Sequence, residues 1–324
     1  MITVGGIDIG GTKCAVSIGK ANDGNVEILA KKKITTPKDP KEAVSAMVGI
    51  LKELVDDTGV TLNAIGISCG SPLDSQNGII KEPPNLPGWI DIDIVTPFRE
   101  AFHVPAAVQN DANACALAEW MWGAGQGYRN MIFLTFGTGL GAGLILNGRL
   151  YAGTGDMAGE VGHIRLEENG PVGYNKAGSF EGFCSGGGIS HLGKTMMDEH
   201  RKEGKNSILF ETEAANGGIT AEDMGRAAKE GDELALSIFQ TVGTKLGKGL
   251  AVLVDILNPE VIVIGSIFVR QEQILREPME RMLKQEALPM NVSECRVVPA
   301  KLGENLGDYA ALSVAMNCFR QLND

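Results

Sequence analysis

Three short apolar runs separated by turn residues open the chain. Residues 3–8, 14–18 and 26–34 are rich in β-branched and other apolar side chains. Gly10-Gly11 separates the first two runs, and Asn22-Asp23-Gly24-Asn25 separates the next two. Because short apolar runs bounded by Gly, Asn and Asp are typical of strands and tight turns, the pattern predicts three consecutive strands.

A helix, a strand and a long loop are predicted next. Asp39 suits the N-cap of the helix and Pro40 suits its first turn, and apolar residues then recur at helical spacing. These residues are Ala43, Val44, Met47, Val48, Leu51, Leu54 and Val55. Residues 64–69 read as a buried strand. Residues 70–90 are rich in Gly, Pro and Asn and predict a loop long enough to be functional.

The remaining pattern mixes strands with longer helices. Strands are predicted at residues 106–109, 131–136, 142–146 and 261–264, and a helix at residues 111–122. A long helix with one apolar face ends at Asn258-Pro259. Its apolar positions are Leu234, Ile238, Val242, Leu246, Leu250, Leu253 and Leu257. A final helix, about residues 308–322, is expected to pack on the first domain.

A weak internal repeat links the two halves of the chain. Ile7-Asp8-Ile9-Gly10-Gly11-Thr12-Lys13 and Thr135-Phe136-Gly137-Thr138-Gly139-Leu140-Gly141 each read as a strand, a Gly/Thr turn and a second strand. Two similar turns, one per half, predict a duplicated architecture with a cleft between the halves.

Composition narrows the class of protein. The 324 residues are 44% apolar and 21% charged, with a net charge of −11, which is typical of a globular protein of about two domains. The excess of acidic residues argues against nucleic acid as a partner, and Lys31-Lys32-Lys33 is interpreted as a solvated strand edge. No apolar run approaches the roughly 20 residues of a membrane span, and we expect no secretory signal after Met1. Six scattered cysteines then predict reduced thiols and a cytoplasmic location.

Two glycine-rich turns are candidates for phosphate binding. In Asp8-Ile9-Gly10-Gly11-Thr12-Lys13, backbone N–H groups, a hydroxyl and an ammonium could grip a phosphate, and Asp8 could hold a divalent metal. The alternative is a tight hairpin whose glycines serve only the backbone. Gly137-Thr138-Gly139-Leu140-Gly141-Ala142 matches a relaxed dinucleotide fingerprint, but that fingerprint requires a following helix and the sequence predicts a strand. Two phosphate-binding turns and a metal-capable carboxylate together favour a nucleoside triphosphate.

Two further motifs could bind or activate hydroxyl groups. Gln109-Asn110-Asp111-Ala112-Asn113 lies between a strand and a helix, where Asn and Asp often serve only as helix caps. At the carboxyl end of a strand, however, Asp111 suits a base that accepts a hydroxyl proton. Glu160-Val161-Gly162-His163 and the later Glu181 could bond polyol hydroxyls, although a single His is often structural.

These motifs, in this order, resemble the ROK family (repressors, open reading frames and sugar kinases) of the actin-like ATPase superfamily. The resemblance covers essentially the whole chain and includes six segments in register. They are the two phosphate motifs, the sugar-binding segments Ser68-Cys69-Gly70-Ser71-Pro72 and Asn85-Leu86-Pro87-Gly88-Trp89, the catalytic Asn110-Asp111-Ala112-Asn113, the sugar and metal segment Glu160-Val161-Gly162-His163, and the adenosine segment Val261-Ile262-Val263-Ile264-Gly265.

The resemblance implies an α/β fold of two ribonuclease-H-like domains around an interdomain cleft, residues 1–109 plus 306–324 and residues 110–305. It implies a glucokinase-like reaction in which ATP, with Mg²⁺, phosphorylates the 6-hydroxyl of a hexose. It also implies a cytoplasmic homodimer that binds neither nucleic acid nor membrane. Asp111 would be the catalytic base and Asp8 would lie near the Mg²⁺. ATP would bind at Asp8, Gly10, Gly11, Thr12, Lys13, Thr138, Gly139 and Gly265, and the sugar at Gly70, Asn85, Asn110, Glu160, His163 and Glu181.

The sequence departs from the family in two segments. The family usually follows the His with three cysteines of a structural zinc site, but those positions hold Val172, Tyr174 and Ser179, so we predict no zinc. We expect Val172, Tyr174 and Phe180 to hold this loop by packing instead. The family's adenosine segment usually continues with more glycines, but here Ser266-Ile267-Phe268 follows Gly265, which predicts a differently shaped adenine pocket.

Other functions stay open at this point. An N-acetylhexosamine such as N-acetylmannosamine, or allose or fructose, presents hydroxyls much like those of glucose. A non-catalytic sugar-binding sensor, a kinase for a non-sugar hydroxyl and, more remotely, a Rossmann-type oxidoreductase are the alternatives of other classes. The repressor branch of the family begins with a helix-turn-helix, for which we expect no room before Asp8.

Overall fold

The computed structural model describes residues 1–323, apart from the side chain of Glu304. The strands are β1 (Ile2–Ile9), β2 (Lys13–Ala21), β3 (Val26–Thr35), β4 (Ala64–Cys69), β5 (Leu73–Asp74), β6 (Ile79–Ile80), β7 (Ile92–Asp93), β8 (Ala106–Asn110), β9 (Met131–Phe136), β10 (Leu140–Leu146), β11 (Arg149–Tyr151), β12 (Val172–Gly173), β13 (Lys176–Ala177), β14 (Val261–Ile264) and β15 (Arg296–Pro299).

The helices alternate with these strands. They are α1 (Pro40–Thr58), α2 (Thr96–Phe102), α3 (Asp111–Trp122), α4 (Phe180–Phe183), α5 (Gly186–Lys202), α6 (Ile208–Asn216), α7 (Ala221–Lys229), α8 (Glu233–Leu257), α9 (Ile267–Glu286), α10 (Pro289–Glu294) and α11 (Leu306–Asn323), with short 3₁₀ helices at Val161–His163 and Gly303–Asn305. Among the helices of the described residues, none combines the length and the apolar character that a bilayer crossing requires.

Two five-stranded sheets have the same strand order. The first runs β3-β2-β1-β4-β8, with β1, β2 and β3 antiparallel and β1, β4 and β8 parallel. The second runs β11-β10-β9-β14-β15. In both sheets the order is therefore third, second, first, fourth, fifth, and a Gly/Thr turn joins the first two strands. This shared order confirms the duplication predicted from the two turns.

The predicted α1 forms as its sequence pattern requires. Asp39 accepts hydrogen bonds from the backbone N–H groups of Lys41 and Glu42, and Gly59 ends the helix with a φ of 63°. The apolar face of α1 is buried against the first sheet, where it joins a core that includes Ile7, Ile65 and Ile67 of the strands. Burial of this face contributes most of the stability of such a helix.

The two predicted C-terminal helices also form. The apolar face of α8 is buried from Leu234 to Val254, and Asn258 ends the helix in the left-handed conformation. The final helix α11 packs closely on β4, since a Cβ atom placed on Gly66 would lie 2.1 Å from the backbone oxygen of Ala311. The expectation that this helix returns to the first domain is confirmed.

Close contacts divide the chain into two compact units. The first contains residues 1–133, 143–158 and those from 300 onward, and the second contains residues 134–142 and 159–299. Residues 110–133 thus lie in the first unit, beyond the predicted boundary at 109, because α3 packs against α11. Residue 324, the end of the predicted first domain, lies outside the described residues. The domain boundaries stay a prediction, whereas the α/β class is confirmed.

Candidate active site

The first unit brings the carboxyl ends of three parallel strands to one edge of its sheet. Ile9 on β1 pairs with Cys69 on β4, and Cys69 pairs with Asn110 on β8. The residues that follow these positions therefore lie side by side. They include the predicted Gly10, Gly11, Thr12 and Lys13 after β1, Gly70 after β4, and Asp111 after β8. Ligands of parallel α/β sheets bind at such edges.

Asn85 lies against two of these glycines. A Cβ atom on Gly11 would lie 2.4 Å from the backbone oxygen of Asn85, and one on Gly70 would lie 2.8 Å from its Oδ1. The long predicted loop thus folds back over the strand ends, and the two glycines leave the room for it. The structure brings Asn85, Gly11 and Gly70 together, although they are far apart in the sequence.

Asn110 and Asp111 begin helix α3. Asn110 is buried and its Oδ1 accepts a hydrogen bond of 2.7 Å from the backbone N–H of Asn113. This is the helix-capping role that the sequence left open as an alternative, so the Oδ1 of Asn110 already has a hydrogen-bond partner in α3. Asp111 is accessible to solvent, and its Oδ1 accepts a bond of 2.8 Å from the N–H of Ala112. Partial desolvation raises the pKa of Asp111, while this bond opposes the rise.

Asp8 belongs to a cluster of charges at the same edge. Desolvation and the nearby carboxylates of Asp308 and Asp111 raise its pKa from 3.8 to about 6, and Lys31 and Lys33 partly oppose this rise. The first turn of α11 lies beside it, since a Cβ atom on Gly307 would lie 3.2 Å from the Asp8 Oδ2. The cluster carries more negative than positive charge, which favours binding of a cation.

Lys31 lies exposed on the edge strand β3, as the sequence predicted, and it also has a partner there. Its Nζ forms an ion pair with Asp308, which is buried. Lys32, in contrast, pairs on the surface with Glu53. The ion pair with Asp308 was not predicted because this partner comes from the other end of the chain, and a local charge pattern carries no information about such a partner.

The second unit contains the other glycine-rich turn. The turn closes with a hydrogen bond of 3.1 Å from the Gly137 N–H to the Gly139 oxygen, and strand β10 follows it, as predicted. Glu181 accepts a bond of 3.0 Å from the Leu140 N–H through its Oε2, and a Cβ atom on Gly139 would lie 3.0 Å from the same oxygen. One oxygen of Glu181 is therefore used to hold the turn that contains Thr138.

Helix α5 begins at this turn. The Gly186 N–H donates a bond of 2.7 Å to the Gly137 oxygen, and Ser185 caps the helix through the N–H of Gly188. The N-terminus of a 17-residue helix attracts anions, and here it lies beside exposed Thr138. This helix start was not predicted from the sequence, although the run Ser185-Gly186-Gly187-Gly188 is a local signal for it.

A cavity of about 500 Å³ opens beside the turn, within the second unit. It is lined by the turn, by the first residues of α5 and α7, and by the start of α9. The lining residues are Gly137, Thr138, Gly186, Gly187, Ser190, Thr220, Ala221, Glu222, Ser266, Ile267, Arg270 and Gln271. The predicted Gly265 directly precedes this wall. Three helix starts and a glycine turn at one cavity provide the donors that a phosphorylated ligand requires.

Ser266 lines this cavity in a strained conformation. Its φ of 50° and ψ of −110° fall where glycine is favoured, which agrees with the glycine expected there from the family pattern. A Cβ atom on Gly137 would lie 3.3 Å from the Ser266 Oγ, so this hydroxyl stands beside the turn. The serine keeps the local backbone shape and adds a hydroxyl to the wall.

Glu160 and His163 flank a short 3₁₀ helix in the second unit. A Cβ atom on Gly162 would lie 2.2 Å from the Leu140 oxygen, so this helix packs on the first residue of β10. Glu160 and His163 are both exposed. The structure therefore brings the segment that contains Glu160 and His163 against the strand that Glu181 also contacts.

Hydrogen bonds hold the loop that in the family contains zinc ligands. Ser179 is fully buried, donates to the Gly173 oxygen and accepts from the Gly182 N–H. The Lys176 Nζ donates a bond of 2.6 Å to the His163 oxygen. The Tyr174 ring meets the His163 ring edge-on at 6.3 Å.

The expectation that packing holds this loop was right for one residue and wrong for two. Phe180 is fully buried, but Val172 and Tyr174 are 50% and 73% exposed, because they lie in and beside the two-stranded β12–β13 hairpin on the surface. No cysteine is present at the three family positions, and the Ser179 hydroxyl is hydrogen-bonded to backbone atoms. These residues do not fit a structural zinc.

The sheet order and the two glycine turns define an α/β protein of the ribonuclease-H-like, actin-like ATPase type. A profile of the ROK family matches residues 4–317, and the chain belongs to this family.

Individual relatives agree with this assignment. A glucokinase of Halalkalibacterium halodurans is 32% identical, over 93% of this chain and 91% of its own. A ROK family glucokinase from Streptomyces griseus, solved with glucose and AMPPNP, superposes with a TM-score of 0.75 at 27% identity, over 97% of this chain and 99% of its own. A xylose repressor of Bacillus subtilis is 24% identical, over 88% of this chain and 69% of its own. The predicted family and fold class are confirmed, whereas the roles of individual residues stay predictions.

Proposed function

We propose that this protein is an ATP-dependent sugar kinase that phosphorylates a hexose, at the 6-hydroxyl in a glucokinase-like reaction. The observation that carries the proposal is Asp111, an accessible carboxylate at the end of β8 and beside the charge cluster of Asp8. The glucokinase relatives support the choice of a sugar as acceptor.

In this proposal Asp111 is the general base. The sugar hydroxyl donates its proton to the Asp111 carboxylate while its oxygen attacks the γ-phosphorus, and the bond from that phosphorus to the leaving ADP breaks. Desolvation raises the pKa of Asp111 above its usual value, which makes its carboxylate a stronger proton acceptor. Asn85, Gly70 and the free part of Asn110 would orient the sugar at this edge. Glu160, His163 and Glu181 are proposed as further sugar contacts.

The cavity of the second unit would bind the nucleotide. Thr138, Gly139 and the N-terminus of α5 would hold its phosphates, and the wall that follows Gly265 would hold its adenosine. From the first unit, Gly10, Gly11, Thr12 and Lys13 would add donors for the phosphates. Phosphoryl transfer depends mainly on positioning and on neutralising charge, which such groups provide.

The residues around Asp8 fit a magnesium ion carried by the nucleotide. Mg²⁺ prefers oxygen ligands and is often held by one or two carboxylates plus substrate phosphates. Asp8 offers such a carboxylate in a cluster with excess negative charge. The ion, when bound, neutralises the charge of the phosphate groups. Asp8 would hold it directly or through water.

A coupled assay with a sugar panel tests this proposal. The panel contains glucose, mannose, fructose, allose, N-acetylglucosamine and N-acetylmannosamine, each with ATP and Mg²⁺. We expect turnover with at least one hexose, and Asp111→Asn should lower it by about 10²–10⁴ while the fold is kept. Asp57→Asn, an exposed aspartate on α1, is the matched control. Activity of Asp111→Asn within a few fold of wild type would remove Asp111 from this role.

A non-catalytic sugar sensor is the second candidate, favoured by the similarity to the xylose repressor. Sugar binding by calorimetry without turnover of any panel member would select it. A homodimer and a cytoplasmic location remain predictions from the family resemblance, and sedimentation of the purified protein tests the first.

A further inference from the structure

The cavity of the second unit contains a buried amide without a partner. Gln271 is only 8% exposed, and its Oε1 is enclosed without any hydrogen bond. Within the described residues, the only other buried side-chain atom of this kind is Oδ1 of Asn113, in the first unit. A buried polar atom that lacks a partner carries its full desolvation cost, so such atoms are rare in native proteins and often mark binding sites.

The surrounding backbone is adapted to Gln271. Helix α9 is interrupted at this residue, whose φ of −123° and ψ of 19° are not helical. A Cβ atom on Gly225 of α7 would lie 2.0 Å from the Gln271 Nε2, so only glycine leaves room for the amide. The break in α9 and the glycine at position 225 thus accommodate a polar side chain in the cavity wall. An apolar side chain at position 271 would avoid the desolvation cost of the unpaired amide oxygen.

Gln271 stands at a suitable distance from the phosphate turn. Ser266, beside Gly137, precedes Gln271 by five residues, which corresponds to about 7.5 Å along a helix at 1.5 Å per residue, and both residues line the same cavity. A nucleotide base is separated from its phosphates by one ribose, a spacing of this size. If the phosphates lie at the turn, the base therefore reaches the wall that contains Gln271.

We propose that the side-chain amide of Gln271 recognises the base of the nucleotide and selects adenine. This inference rests on the nucleotide binding included in the proposed function. An amide presents an acceptor and a donor side by side, and adenine presents on one edge its 6-amino donor and its N7 acceptor, so the amide forms a pair of hydrogen bonds with this N6 and N7 edge. The O6 and N7 edge of guanine offers two acceptors and leaves the amide oxygen unpaired. Because the Gln271 Oε1 is enclosed, pairing with the base requires the side-chain amide to turn into the cavity, and no hydrogen bond of Gln271 opposes this rotation.

Binding of ADP, GDP and inorganic pyrophosphate to the full chain, measured by calorimetry with Mg²⁺, tests this inference. Gln271→Met keeps the length of the side chain and removes the amide. We expect this variant to bind ADP about 10- to 100-fold more weakly, the range for a pair of hydrogen bonds to a base, and to lose the preference for ADP over GDP. Pyrophosphate has no base, so its affinity should not change. Gln273→Met, on the exposed side of α9, is the matched control.

Thermal unfolding without nucleotide separates recognition from a structural role. Gln271→Met removes no hydrogen bond, so its melting temperature should equal or exceed that of wild type. Equal affinity of wild type for ADP and GDP, or ADP affinity of the variant within twofold of wild type, would overturn the inference. So would a parallel loss of pyrophosphate binding. If wild type selects ADP through Gln271 but phosphorylates no sugar, the inference stands and the proposed kinase function fails.

Discussion

Replacing Asp8 by Asn should stabilise the protein at neutral pH, although Asp8 is proposed to bind magnesium. The folded protein raises the pKa of Asp8 from 3.8 to about 6, mainly by desolvation and then by the carboxylates of Asp308 and Asp111. The ionised carboxylate is thus less stable in the folded protein than in the unfolded chain. A shift of about two pKa units corresponds to about 3 kcal/mol. Asp8→Asn removes this cost.

The pH dependence of the gain follows from the two pKa values. Below about pH 4, Asp8 is protonated in both states, so wild type and Asp8→Asn should be equally stable. As the pH rises through the window from 3.8 to about 6, the unfolded chain releases its proton first, and wild type loses stability relative to the variant. Above about pH 6.5 the difference should reach its full size.

Thermal unfolding in EDTA without nucleotide, from pH 4 to pH 8, measures this difference. Asp57→Asn is the control, because it removes an exposed carboxylate from the same unit. The reasoning is refuted if Asp8→Asn is no more stable than wild type at pH 8. It is also refuted if the gain is the same at pH 4 and pH 8. Asp8→Asn should also lose sugar phosphorylation, because the carboxylate that destabilises the free protein is the group proposed to bind the magnesium ion.

Two further predictions concern the loop without zinc ligands. Lys176→Met removes the bond to the His163 oxygen and should raise the KM for the sugar about 2- to 10-fold, the value of one net hydrogen bond, with the KM for ATP unchanged. Steady-state kinetics measure this effect, with Lys194→Met, which changes an exposed lysine on α5, as the control. An unchanged sugar KM in Lys176→Met would contradict the prediction. Elemental analysis should find no zinc, because Val172, Tyr174 and Ser179 supply no thiolate; one zinc per chain would show that this interpretation is wrong.

The local elements of the fold could be predicted because their causes are local. The cap at Asp39, the apolar period of α1 and α8, and the glycine turns lie within a few residues of the structure they specify. Strand β10 after the turn at Gly137 likewise followed from the apolar run beside it.

The candidate site was predictable only in part. Residues at strand ends, such as Gly70 and Asp111, could be placed together because parallel strands end at one edge. The position of Asn85 between Gly11 and Gly70 could not, because a long loop has no repeating pattern that fixes its path. The start of α5 and the wall around Gln271 were missed for a similar reason, since their meaning depends on the cavity that they face.

The sequence by itself predicted the helices α1, α3, α8 and α11 and eight of the strands, the two phosphate-type turns, and the loss of the zinc thiolates. Only the tertiary structure decided that Lys31 is neutralised by Asp308, that α3 joins the first unit, and that Gln271 is buried without a partner. The physical reason is the range of the interactions. Hydrogen bonds and apolar periodicity within one helix or strand depend on residues that are close in the sequence. Charge pairing and burial depend instead on which distant segments the packed chain brings together.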